Sequence, residues 1–185
     1  MELGDLPRPQ RDFFTRDAVT VAQELLGTYL VSEVGGSTVG GRIVETEAYT
    51  ADDPASHSFA GRTARNEVMF GPAGRLYVYL SYGIHHCANV VTGDEGDGQA
   101  VLLRAIEPIA GVDAMLERRG RRPLADGPGK LCQALGVDLR ANGVDVTEVE
   151  AAVRITDDGT PPPDDPLVWP RIGITRAVEV PWRFR

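Results

Sequence analysis

Residues 74–92 read GRLYVYLSYGIHHCANVVT, and the fold turns on how they are parsed. Leu76 to Leu80 alternate as a strand does, Ile84 to Val91 resume an apolar, β-rich run, and Ser81-Tyr82-Gly83 between them has the length and the glycine of a tight hairpin turn. Hairpin tips are ordinarily polar. This one puts Tyr82 at the most projecting position, between a small hydroxyl and a glycine that leave the ring uncovered. The first expectation is a stiff two-stranded arm with an aromatic tip.

Upstream, STVGGRIVETEAYT reads as a long strand, preceded by a Gly35-Gly36 turn and the strand TYLVSEV. TRDAVTVAQELLG before it carries Val19, Ala22, Leu25 and Leu26 at helical spacing, with Thr15 as the N-cap and Gly27 as the stop. A polar loop, DDPASHSFAGRTARNEVMFGPAG, leads into the hairpin. Downstream come the strand QAVLLRAIEP, short helices in GVDAMLERRG and GKLCQALG, and late strands in VEAAVRIT and RIGITRAVEV. DDGTPPPDDP is a rigid acidic connector, because too little chain follows it to fold alone. Strands dominate and few segments can serve as helical crossovers. The expected class is α+β, with a curved, mostly antiparallel sheet and helices packed around it.

A chain of 185 residues with 42% hydrophobic content fits one domain, and one this size buries roughly 70% of the surface it exposes unfolded. Residues 1–11 read as a flexible tail and 12–185 as the domain. The chain has no apolar run of about 18 residues, and MELGDLPRPQ lacks the basic and apolar regions of a signal peptide. A cytosolic protein with no membrane contact is expected, and Cys87 and Cys132 read as reduced, buried thiols. The net charge of −8 argues on its own against a nucleic-acid partner, since Lys and Arg displacing counterions drive phosphate binding. The distribution reopens the question. Residues 138–165 hold eight acids against two bases, while Arg62, Arg65, Arg75, Arg104, Arg118, Arg119, Arg121, Arg122 and Lys130 crowd the middle.

In IVETEAY the strand period places Glu45, Glu47 and Tyr49 on one face, with successive same-face residues about 6.6 Å apart. Two carboxylates at that spacing suit an inverting glycoside hydrolase, but taken alone such a pair is more often a solvated strand face. His57, in the loop that follows, reads either as a hydrogen-bond donor to a ligand or as a capped loop residue. His85-His86-Cys87 does not make a metal site, because adjacent strand residues point to opposite faces. ADGPGKLCQ has the look of a phosphate loop, yet Leu131 stands where Ser or Thr is required. What remains there is a Gly/Pro turn into a helix whose N-terminus, with Lys130, suits one backbone phosphate.

The blocks GRIVETEAY, ASHSFAGRTARN, MFGPAGRLYVYLSYG, CANVV, VLLRAIEP and GPGKLCQALG follow one another between FFTRDAVTVAQELLG and the terminal RIGITRA and PWRF. Together they resemble the alkyladenine (3-methyladenine, methylpurine) DNA glycosylase family over almost the whole chain. The resemblance implies an α+β domain around an open-barrel-like, curved antiparallel sheet, with a protruding hairpin that enters the DNA minor groove. It implies a monofunctional base-excision-repair hydrolase. Such an enzyme flips alkylated or deaminated purines (3-methyladenine, 7-methylguanine, hypoxanthine, ethenoadenine) out of double-stranded DNA and leaves an abasic site. It further implies a monomer without metal or organic cofactor, working in a bacterial-type cytosol at the nucleoid.

Residue by residue, the resemblance makes Tyr82 the wedge that fills the gap left by the flipped nucleotide. Glu47 becomes the general base that activates water, and Arg104 helps to hold that water. Tyr49 stacks on one face of the extruded base, Tyr79 and His57 take the other side, and Asn89 crowds the amino group of normal guanine. Arg62, Arg65 and Lys130 are the candidates for the DNA backbone, and Glu45 matches no catalytic role. Two rivals stand beside this reading: a catalytically inactive minor-groove binder that keeps the wedge, and a carbohydrate hydrolase using Glu45 and Glu47.

Overall fold

Two short helices, α1 (Arg11–Phe14) and α2 (Ala18–Glu24), lead into the sheet in the computed structural model, which describes residues 3–185. The strands are β1 (Tyr29–Ser32), β2 (Val39–Tyr49), β3 (Leu76–Ser81), β4 (His85–Thr92) and β5 (Gln99–Ala110). Helices α3 (Val112–Arg119) and α4 (Pro128–Leu135) follow, then β6 (Val153–Thr156), β7 (Val168–Trp169) and β8 (Arg183–Phe184). The order is β3-β4-β5-β2-β1-β6, with β8 joining the far half of β2 and β7 pairing with β8, every pair antiparallel. The sheet curls into half a barrel, so the α+β architecture read from the sequence stands. Among the described residues no helix is long and apolar enough to cross a membrane.

The period of two divides the sheet cleanly. Ala48, Val78, Ala88, Val90, Val101 and Leu103 enter the main core with residues of α2, α3 and α4, including Val21, Leu25, Met115, Leu131 and Leu135. Fully burying each large aliphatic side chain contributes about 1.5–3 kcal/mol. The opposite face carries Glu47, Tyr77, Asn89 and Leu102, and it is left for other work. Close contact of β2 with β5 depends on Gly41, where a Cβ would lie 2.0 Å from the backbone oxygen of Glu107.

Three boundaries differ from the sequence reading. Asp17, not Thr15, caps α2: its carboxylate accepts the Thr20 N–H at 3.0 Å, because Arg11–Phe14 forms a separate turn that Thr15 ends. RIGITRAVEV is a loop rather than a strand, since Gly173 and Ala177 adopt positive φ (79° and 47°) and reverse the chain. From Leu3 onward the segment read as a tail lies on the sheet, with Leu6 buried beside Tyr29 and Val31 and the Asp157 N–H donating to the Pro7 oxygen at 2.8 Å. Met1 and Glu2 of that segment lie outside the described residues.

Candidate active site

Five neighbouring strands place one residue each in a single row. Tyr77 lies opposite Asn89, Asn89 opposite Leu102, Leu102 opposite Glu47, and Glu47 opposite Arg183. Directly paired residues project on the same face, so the row forms a floor. A cavity of about 620 Å³ opens over it, lined by Tyr49, His57, Tyr79, Asn89, Leu102 and Arg104 among others.

Arg104 reaches the site through an irregularity. Ile43 pairs with Ile106, Glu45 with Ala105 and Thr46 with Leu103, so Val44 and Arg104 are each passed over in the ladder. Bulges re-aim side chains. Here Arg104 Nε donates to Glu45 Oε1 at 2.7 Å, and Nη1 lies 3.1 Å from Glu47 Oε1. Glu47 Oε1 also accepts the Ile172 N–H, and Oε2 accepts the Tyr49 hydroxyl, both at 2.8 Å. The Arg104 contact is an ion pair rather than a hydrogen bond, and a carboxylate offers about four acceptor positions; the position left clear of the guanidinium is the second one on Oε2.

Glu47 has no exposed surface, which rules out a solvated strand face. The 170–176 loop closes over this end of β2, and Ile172 brings its amide to the carboxylate. Nor do Glu45 and Glu47 face each other across a water, because they share one guanidinium. Burial pushes the Glu47 carboxyl above its ordinary range, and Arg104, the Ile172 amide, the Tyr49 hydroxyl and Arg171 pull it only part of the way back. Glu47 itself does not surface in the cavity, whereas Arg104 and Tyr49, which bond it, do.

The opposite wall is aromatic. His57 meets the Tyr79 ring edge-on at 4.5 Å, and Tyr79 stacks on Tyr77 at 5.5 Å with 27° between the planes. His57 Nδ1 and the Tyr77 hydroxyl are 3.0 Å apart. Burial, with Arg65 nearby, lowers the His57 pKa, so the ring is neutral at pH 7. Asn66 shapes the loop that delivers His57, donating from Nδ2 to the His57 and Gly61 carbonyls while Oδ1 accepts the Thr63 N–H and hydroxyl. Asn89 is buried and donates to the Tyr77 carbonyl at 3.1 Å.

The sequence reading missed Tyr77, although its position two residues before Tyr79 puts both rings on one face of β3. It also missed Arg171. That guanidinium is fully buried, pairs with Asp53, donates to the Ala48 carbonyl at 2.9 Å, and lies 4.7 Å from the Tyr49 ring centroid and 5.4 Å from that of Trp182. Its partner Asp53 is 118 residues away, and nothing local announces the pair.

The turn runs one residue later than the sequence suggested, with Tyr82 still at its tip: Ser81 stays in β3 opposite His85, and Ile84 belongs to the turn. Tyr82 (φ 50°) and Gly83 (φ 69°) both have positive φ, and the Ile84 N–H closes the turn on the Ser81 carbonyl at 3.0 Å. That geometry favours Asn-Gly or Gly-Gly, and a tyrosine there costs about 1 kcal/mol or more. Tyr82 is 85% exposed and Ile84 72%.

Of the three basic residues expected at a DNA backbone, Arg65 lines the cavity, its Nη2 donating to the Leu80 carbonyl at 3.3 Å. Arg62 pairs with Glu67, and Lys130 with Asp126, each at 2.8 Å. Arg176, not anticipated, joins Arg65 in the lining. Among the described residues no three His, Cys, Asp or Glu side chains are grouped to hold a metal ion.

The chain matches the family described as methylpurine-DNA glycosylase over residues 12–185. A relative from Methanoculleus marisnigri, provisionally named 3-methyladenine DNA glycosylase, is 52% identical over 178 residues, covering 93% of this chain and 91% of its own. Similarly named relatives come from Carboxydothermus hydrogenoformans, 48% identical over 94% of this chain and 92% of its own, and Nitrosospira multiformis, 50% identical over 97% and 90%.

Proposed function

Because the chain belongs to the methylpurine-DNA glycosylase family, we propose that it excises 3-methyladenine and related alkylated purines from double-stranded DNA by flipping and hydrolysis. In this reading Tyr82 enters the base stack from the minor groove and occupies the space of the extruded nucleotide, offsetting an unstacking cost of a few kcal/mol. The damaged base enters the cavity between Tyr49 on one side and Tyr79 and His57 on the other. Asn89 crowds the exocyclic amine of guanine. The carrying observation is a fully buried carboxylate, Glu47, bonded by the two residues, Arg104 and Tyr49, that separate it from an aromatic cavity.

The attacking water enters between Arg104 and Tyr49 and takes the acceptor position left on Glu47 Oε2. Its oxygen bonds to C1′ as the C1′–N bond breaks, the bonding pair leaves with the base, and Glu47 accepts the water proton. A cationic N-alkylated purine departs neutral and requires no acid. Electron-rich rings favour such a cation. Hypoxanthine and ethenoadenine must gain a proton on departure, and a neutral His57 is no standing acid for it. Cationic alkylpurines therefore rank first.

The test is chromatography of the bases released from methylated duplex DNA in single turnover, with abasic sites counted in parallel. Free 3-methyladenine with matching abasic sites is expected. Tight binding to the same DNA without release would mean a binder that has lost its chemistry.

A further inference from the structure

Glu45 stands beside the catalytic pair with no part in the scheme above. We propose that Glu45 is a positioning residue for Arg104, and that together with Arg183 it sets how strongly Arg104 engages Glu47. The inference rests on the reading of Glu47 as the base.

The geometry supplies the reason. An arginine next to a lone carboxylate tends to form two parallel bonds to it. Arg104 does not, because Glu45 Oε1 takes its Nε at 2.7 Å, leaving Nη1 to meet Glu47 at 3.1 Å. The paired bulges at Val44 and Arg104 make this three-residue arrangement reachable within one ladder. The same Glu45 Oε1 also accepts Arg183 Nη1 at 3.3 Å, and Arg183 is fixed by the Pro170 carbonyl at 2.9 Å and the Trp169 ring at 5.0 Å. The whole chain of charges is nearly dry, with side-chain exposures of 13% for Glu45, 8% for Arg104 and 18% for Arg183, so each charge acts on the next with little screening.

Glu45 thus does two things for Glu47. It keeps the second fork of Arg104 from occupying the acceptor position that the water needs, and its negative charge tempers the cation that would make Glu47 a weaker base. The groups facing Glu47 are Arg104 from β5, Tyr49 from β2, Arg171 and the Ile172 amide from the 170–176 loop, Tyr79 from β3, Cys87 from β4 and Arg183 from β8. Two further carboxylates join them through these cations: Glu45 of β2 on Arg104 and Arg183, and Asp53 on Arg171.

The experiment is the pH profile of single-turnover excision on methylated duplex DNA for Glu45→Gln, Arg183→Gln and Glu47→Gln, with lesion-duplex affinity measured alongside. Glu45→Gln removes an anion, so the acid limb moves to lower pH by about half a unit or more, and the plateau rate falls about tenfold or more, while affinity stays within about threefold of the parent. Arg183→Gln removes a cation and moves the limb the opposite way, to higher pH. Structural damage alone would not produce shifts of opposite sign. An acid limb unmoved in Glu45→Gln, with Glu47→Gln inactive, overturns the role of Glu45, even if the rate falls. An active Glu47→Gln overturns the reading of the base instead. Should Glu45→Gln fail to melt cooperatively, Arg183→Gln decides alone: an upward shift supports the proposal, and no shift or a downward one overturns it.

Discussion

A carboxylate with no exposed surface is expensive to ionise unless it is paired and hydrogen-bonded, and Glu47 is both, through Arg104, Ile172 and Tyr49. Since burial still leaves its proton affinity raised, a base at this position loses activity as pH falls through a value above the usual glutamate pKa of about 4.3. The acid limb of the single-turnover profile should lie there. Glu47→Gln keeps the shape and removes the base, so excision should fall by roughly 10² to 10⁴ with lesion binding retained; cleavage within a few-fold of the parent would strike Glu47 from the mechanism. Tyr82, 85% exposed at a turn that disfavours it, is the kind of strained residue kept for function. Tyr82→Ala should cost about 1–3 kcal/mol in flipping, most on well-paired lesions. A fluorescent lesion analogue that brightens on unstacking reads this directly, and equal amplitudes in parent and variant would mean the ring is no wedge.

Between elements, the Asp53–Arg171 pair does the joining. It links the loop after β2 to the 170–176 loop, sets a guanidinium against the Tyr49 ring, and adjoins Ile172, whose amide bonds Glu47. Both side chains are essentially sealed from water, at 0% and 1% exposure, so Asp53→Asn leaves a buried cation without its partner. Breaking a buried pair costs about 3–5 kcal/mol. Denaturant melts should show that loss as a lower midpoint with an unchanged slope, and a midpoint equal to the parent's would mean the pair contributes nothing to holding the loops.

For the whole molecule, a net charge of −8 must coexist with a DNA substrate. Two of the middle cations are engaged within the protein: Arg104 serves Glu45 and Glu47, and Arg118 donates to the Ala134 and Val34 carbonyls at 3.1 and 2.7 Å. Arg65 and Arg176 are left at the cavity. Binding should weaken with salt at about −0.9 in log affinity against log salt for each phosphate met; a flat titration would remove phosphate contacts from the reading. What the sequence alone determined was whatever depends on short-range rules: the hairpin and its aromatic tip, α4 ahead of Gly136, and the shared face of Glu45, Glu47 and Tyr49. Strand period and turn chemistry act within a few residues, so these were legible. RIGITRAVEV misled, because a β-rich composition makes a strand only where an edge is free to pair, and two positive φ values turn this segment over the site instead. Tertiary structure alone decided the row from Tyr77 to Arg183, the bulge that aims Arg104, and the burial of Arg171 on Asp53. Register and desolvation belong to pairs of segments, and no single segment carries the information for either.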